Sequence, residues 1–438
     1  MSGARGPSRR RFCTAAAATV AAAPLGVLGL PERSNAMPAI AQAGTDRTAI
    51  RPFQVNVPEA QLVELRRRIN ATRWPDRETV ADDSQGVQLA TMQALAKYWT
   101  TDYDWGKCEA QLNAQPQFLT EIDGLDIHFI HARSKHADAL PLIVTHGWPG
   151  SVVEQLKIID PLTDPTAYGG SAADAFHVVI PSIPGYGFSG IPSAMGWDPE
   201  HIGRAWVVLM KRLGYDRFVA QGGDVGSLVS NLMAEQAPPE LLGIHVNLPG
   251  VVPADVAMTP PGSFSPEEMR ALKQLGELRS KHFGYFIEMS LRPQTLYGIA
   301  DSPIGLAAWM LDHDAASYEH IARAFAGEPG FGLSRDDVLD NITLTWLTNT
   351  AVSGARLYWE NKGRSVAGAV NVSIPAAVSV FPEEIYQAPR SWTERAYHKL
   401  VYYNQLDKGG HFAAWEQPQL FTEELRAGFR PLRKGAQA

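Results

Sequence analysis

The sequence predicts an α/β protein built on a doubly wound, mostly parallel sheet, and three observations carry that expectation. Short apolar runs, LPLIVT (140–145), AFHVVIP (175–181) and RFVAQGG (217–223), each end at a corner rich in glycine or proline. Amphipathic helical stretches lie between them, HIGRAWVVLMKRLGY (201–215) being the clearest. A long helical stretch then intervenes before strand-like runs resume at AAVSVFP (376–382) and HKLVYYNQL (398–406). Short buried strands separated by helices wind into a parallel sheet whose functional loops sit at the strand C-termini.

Residues 1–43 are expected to be a signal peptide rather than part of the fold. Arg5, Arg9, Arg10 and Arg11 precede an alanine-rich apolar run, and Ala41-Gln42-Ala43 supplies small residues before a cleavage point. Ser8-Arg9-Arg10-Arg11-Phe12 fits the twin-arginine pattern, which implies a bacterial protein exported to the periplasm or beyond. Pro24 interrupts the apolar run, so no stable membrane span is expected in the mature form. Removing the leader removes Cys13 and leaves Cys108 alone, which excludes an internal disulfide and gives Cys108 a structural reading.

Residues 51–120 read as a helical N-terminal extension. EAQLVELRRRINATRWP (59–75) sets Leu62, Leu65 and Ile69 on one helical face and is expected to stop at Pro75; QLATMQALAKYW (88–99) does the same with Leu89, Met92, Leu95 and Tyr98. The first part of the core, 121–252, is entered through a hairpin, FLTEIDGLDIHFIHAR (118–133), with Asp123-Gly124 at its turn. Residues 253–365 hold the helical stretches FSPEEMRALKQLGELR, GLAAWMLDHD and DDVLDNITLTWLTNTAVSGARLYWEN, and 366–438 return to the core. A helical block inserted late in a parallel sheet is the layout of an α/β-hydrolase fold with a cap. The 438 residues are 45% hydrophobic and 19% charged with a net charge of -7, and no basic stripe with interleaved aromatics occurs, which excludes nucleic acid as a partner.

Three reactive groups follow in the order nucleophile, acid, histidine, the chain order of that fold. Asp224 stands in GGDVGS after the fifth predicted strand, at a G-x-nucleophile-x-G corner that ordinarily presents serine. Glu384 follows the seventh strand in FPEEIY, and His411 follows the eighth in DKGGHFAAWEQP. HGWPGS (146–151), after LPLIVT, places the backbone N–H of Trp148 with that of Val225 as oxyanion donors.

The aspartate changes the chemistry. A serine needs its histidine to remove a proton before attack, whereas a carboxylate is already ionised at neutral pH and displaces a leaving group from saturated carbon. The product is an ester on the enzyme, which His411, oriented by Glu384, must hydrolyse by activating water. Alkyl halides and epoxides are the substrates such a nucleophile attacks. An epoxide oxygen leaves as an alkoxide and needs a nearby acid of high pKa, which tyrosine provides. The inserted helices offer Tyr285, Tyr297, Tyr318 and Tyr358, and spacing does not choose among them. Haloalkane dehalogenation remains an alternative, to be told apart by halide-binding donors in place of tyrosines; a non-catalytic member of the fold would have lost one of the three groups. Trp148, Trp309, Trp346 and Phe188 suggest an apolar pocket.

The motifs TRWPD, YDW, LNAQPQFLTEIDGLDIHFIH, HGWPGS, PSIPGYGFS, GGDVGS, DSPIGLAAW, ITLTWLTNT and GGHFAAWEQP, in this order, resemble the microsomal-type epoxide hydrolases over nearly the whole mature chain. The resemblance implies Asp224 as nucleophile, His411 as the water-activating base, Glu384 as its acid, Trp148 and Val225 as oxyanion donors, and Tyr285 and Tyr358 as the two cap tyrosines. It implies a small apolar epoxide and water as reactants, no cofactor and no metal, and leaves a homodimer open. Mammalian members carry a membrane-anchoring N-terminus where this chain carries what looks like an export leader, so location does not carry over.

Overall fold

The computed structural model describes residues 46–433 except 330, 363, 365 and 366, so the leader expected at 1–43 lies outside the described residues. Nine strands form one sheet: β1 (Arg51–Phe53), β2 (Gln117–Ile122), β3 (Leu125–Ala132), β4 (Leu140–Thr145), β5 (Phe176–Pro181), β6 (Phe218–Gly222), β7 (Leu241–Val246), β8 (Val372–Val380) and β9 (Tyr397–Gln405). Their spatial order is β1-β2-β3-β5-β4-β6-β7-β8-β9. Every pairing from β5 to β9 is parallel, while β1, β2, β3 and β5 are joined antiparallel. The sheet is covered on both faces, and β4 shows how: Leu142 and Val144 enter one apolar cluster, Ile143 the other, as the two-residue strand period requires. The hairpin forms with its two-residue turn, Asp123 at φ 49° and Gly124 at φ 81°, the left-handed pair that a tight turn of this hand needs.

Strand β1 is a correction to the sequence reading. It has three residues with Pro52 at its centre, too short and too irregular to register as a strand, yet it pairs Arg51 with Leu119 at the sheet edge, where a residue lacking an N–H is tolerated. The nucleophile corner, the acid and the histidine therefore follow the sixth, eighth and ninth strands. A second correction concerns the first helix, Glu59–Asn70, which ends five residues before Pro75. Trp74 precedes that proline, a position disfavoured in helix, and the chain continues without regular structure with Trp74 packed against the core.

The helix Leu89–Thr101 and the link from it to the helix Trp105–Asn113 dock the extension onto the inserted helices: Tyr98 Oη donates to Asp336 Oδ1 (2.7 Å), Trp99 Nε1 to Thr343 Oγ1 (3.0 Å) and, from the link, Tyr103 Oη to Asp340 Oδ1 (2.7 Å). Cys108 is fully buried in this layer, in keeping with a structural role. The stretch 336–361 divides into Arg335–Leu347 and Ala351–Glu360, with Asn349 at φ 53° turning the chain between them. That turn brings the second helix, and Tyr358 on it, over the C-terminal ends of the strands. Among the described residues no helix is long and apolar enough to cross a membrane.

Candidate active site

Asp224 joins β6 to the helix Val225–Gln236 at φ 48° and ψ −126°, a backbone state that a residue with a Cβ adopts only when its surroundings enforce it. The surroundings are glycines: a Cβ on Gly222 would overlap the backbone of Gly226, and one on Gly226 would overlap the carbonyl of Thr145. Gly147, before Trp148, is required for a different reason, since a Cβ there would run into the Asp224 carboxylate. The two loops thus meet closely enough for the Trp148 backbone N–H to donate to Asp224 Oδ1 at 2.8 Å. Val225 is the first residue of its helix, where the backbone N–H has no partner within the helix, and its side chain lines the cleft that reaches Asp224.

His411 sits beyond β9 with Nε2 3.7 Å from Asp224 Oδ2, while its Nδ1 meets Glu384 Oε1 at 2.5 Å. The loop carrying it is tied by Glu416, whose carboxylate accepts from the N–H groups of Gly410 (2.7 Å) and Phe412 (3.1 Å). Burial disfavours the charged imidazole, but Glu384, Asp224 and Asp314 outweigh it and push the His411 pKa up to about 10. Adjacent Glu383 is a separate group: it pairs outward with His320 Nε2 at 2.8 Å, and its side chain is 42% exposed against 0% for Glu384.

Of the four cap tyrosines, the fold brings two to this point. Tyr285 stacks on Trp148 with ring centroids 4.7 Å apart, and Tyr358 stands edge-on to both, 6.0 Å from Trp148 and 6.1 Å from Tyr285. Both are buried, and burial, with the Asp224 charge added to it, raises each phenol well above its ordinary pKa, so each is a neutral O–H donor. Tyr297 is 69% exposed and Tyr318 Oη accepts from the Gln88 N–H at 2.8 Å, so neither faces Asp224.

Two cavities touch the Asp224 carboxylate from different sides. One is a cleft of about 510 Å³ lined by Val225, Leu228, Phe286, Leu357 and Tyr358 among others. The other is a pocket of about 20 Å³ between Asp224, His411, Glu154, Gln155, Gln221 and Asn247, room for one water molecule. Gln155 Oε1 and Gln221 Oε1 are buried without a hydrogen-bond donor among the described residues, and burial raises the Glu154 carboxyl to about 8. The apolar pocket expected from four aromatics is not built from them: Trp148 borders the small polar pocket and not the cleft, and Phe188, Trp309 and Trp346 line neither cavity; Phe188 packs on Phe53 and His128, and Trp346 lies under the guanidinium of Arg68.

Sequence reasoning missed Glu154, which a short helical turn after HGWPGS folds back toward the nucleophile, and a second imidazole–carboxylate pair at the site. His313 Nδ1 meets Asp314 Oδ2 at 2.8 Å, and the His313 ring lies 4.5 Å from that of His411. Its only sequence signal is a histidine between two aspartates in MLDHDAAS, which no spacing rule ties to the elbow.

Residues 50–155 match the family described as "Epoxide hydrolase N terminus", and residues 141–291 match "alpha/beta hydrolase fold". The chain is 52% identical to a putative epoxide hydrolase of Stigmatella aurantiaca over 88% of this chain and 86% of that one. It is 34% identical to Epoxide hydrolase 1 of Sus scrofa over 88% and 89%. Among solved structures it is similar to the juvenile hormone epoxide hydrolase of the silkworm Bombyx mori, with a TM-score of 0.77, 29% identity and coverage of 88% of this chain and 95% of that one. The Aspergillus niger epoxide hydrolase gives 0.75 and 29%, covering 88% and 97%.

Proposed function

The chain belongs to the epoxide hydrolase family, and on that premise we propose that it converts a small apolar epoxide to a vicinal diol through an ester on Asp224. Trp148 holds Asp224 Oδ1, so Oδ2, the oxygen facing His411, attacks an epoxide carbon. The ring C–O bond breaks, and Tyr285 and Tyr358 donate to the oxygen as its charge develops. Esterification removes the charge of Asp224 and with it one of the groups that hold the proton on His411. His411 then gives its proton up to solvent, and solvent restores the proton that a phenol gave to the alkoxide. The imidazole now serves as base, taking a proton from water in the small pocket as the water oxygen adds to the ester carbonyl. Oδ1 becomes that carbonyl oxygen, already at the Trp148 N–H, with the Val225 N–H as the second donor. Collapse of the adduct breaks the bond to the diol oxygen, which takes the proton from the His411 imidazolium, and regenerates the carboxylate.

The observation that carries this reading is the pair of buried, neutral phenols beside an elbow carboxylate. A halide needs no proton on leaving, whereas an alkoxide does. Tyr285→Phe and Tyr358→Phe should each slow ester formation by about 10²–10⁴-fold while leaving ester hydrolysis much less affected. Rapid-quench measurement of adduct on a styrene-type epoxide checks this; wild-type alkylation rates in both variants would return the site to dehalogenation chemistry.

The same proposal includes export. The arginine cluster, apolar run and Ala41-Gln42-Ala43 support a twin-arginine leader in a bacterial protein, released near residue 43. Mass spectrometry of exported protein should find an N-terminus close to Gly44; a retained Met1 would contradict cleavage.

A further inference from the structure

We propose that Asp224, His313 and His411 also form a reversible, inhibitory divalent-cation site, with zinc as the cation whose ligand preferences it fits. One oxygen or nitrogen from each residue lies within 4.8 Å of the other two. The arrangement repeats a feature of protein zinc sites, in which a ligating imidazole gives its second N–H to a carboxylate that fixes its tautomer and aim. Here that happens twice. Glu384 takes Nδ1 of His411 at 2.5 Å and Asp314 takes Nδ1 of His313 at 2.8 Å, which leaves both Nε2 atoms as ligands. The His313 Nε2 is buried without a hydrogen-bond partner among the described residues, and the side chain is 2% exposed.

Asp224 completes the set. Its Oδ1 is held by Trp148, so Oδ2, 3.7 Å from His411 Nε2, is the oxygen left for a cation. Zinc bonds of about 2.0–2.2 Å put tetrahedral ligand atoms roughly 3.3 Å apart, so the histidine–aspartate edge is nearly at its final length. The other edges close by at most roughly 1.5 Å, within the reach of side-chain rotation. Charge favours the cation as well: the carboxylates of Asp224, Glu384 and Asp314 converge on two imidazoles in a water-poor site. Two histidines and a carboxylate suit zinc better than magnesium or calcium, which take oxygen ligands. A cation bound there displaces the Nε2 proton of His411 to solvent and occupies a lone pair of the nucleophile and that of the base, so neither half-reaction proceeds.

The test uses the full mature enzyme and zinc sulfate, read by thermal shift without any epoxide present, so that it stands apart from the assignment of substrate. Zinc should raise the melting temperature of the wild type and inhibit its turnover, with EDTA restoring activity. His313→Gln should weaken the zinc dependence of the thermal shift by at least about tenfold, and Asp314→Asn by about 10–100-fold through loss of the orienting carboxylate. Absence of any shift in wild-type protein at millimolar zinc overturns the proposal. Equal zinc responses in wild type, His313→Gln and Asp314→Asn overturn it too, by placing the metal on other groups.

Discussion

Replacing Asp224 with asparagine should lower kcat by on the order of 10⁴–10⁶-fold, the scale on which loss of a covalent nucleophile is felt. The side chain keeps its size and still offers an oxygen to the Trp148 N–H, so folding should be retained and circular dichroism should match the wild type. What is lost is the charge. A neutral amide oxygen is a weak nucleophile toward saturated carbon, and no ester should accumulate on the protein when it is held with an epoxide. Product assays with a sensitive vicinal-diol readout measure the effect directly.

His411→Gln should give the opposite signature at a smaller cost in turnover. Asp224 needs no base to become nucleophilic, so the first step survives in part and one equivalent of epoxide is consumed. The second step loses its proton acceptor, and steady-state turnover should fall by about 10²–10⁴-fold or more. A burst of substrate consumption followed by near silence, with the mass of one whole epoxide added to the protein, is the expected record. Glutamine also removes the cation that faces Asp224 in the resting site, so alkylation itself should slow to some degree.

The residues that were legible in the sequence are those whose position is fixed by a strand end. Asp224 is announced by two glycines that no other residue can replace, because Gly222 and Gly226 touch backbone. His411 and Glu384 follow directly from β9 and β8, and Trp148 from β4. The choice of tyrosines was not legible from spacing. Tyr285, Tyr297, Tyr318 and Tyr358 all lie on helices, and only the turn at Asn349 and the packing of Tyr285 on Trp148 decide which two face the nucleophile. The resemblance to a family singled out Tyr285 and Tyr358, the pair that the fold places beside Trp148, where physical pattern did not choose. His313 and Glu154 escaped both routes: His313 lies in the connection between the helices Pro303–Leu311 and Ala315–Phe325, and Glu154 reaches the site through the short helical turn that follows HGWPGS, outside the motif itself. Strand β1 escaped because a three-residue edge with a proline has no period to read.

In the covalent mechanism the new oxygen of the diol comes from the enzyme. A single turnover in H₂¹⁸O, with wild-type enzyme in excess over epoxide, tests it most directly. The covalent route gives unlabelled diol after the first turnover and ¹⁸O in the peptide that contains Asp224, because water attacks the ester carbonyl and leaves its oxygen on the protein. Labelled diol together with an unlabelled Asp224 peptide would mean that water opens the ring itself, and would contradict the covalent mechanism.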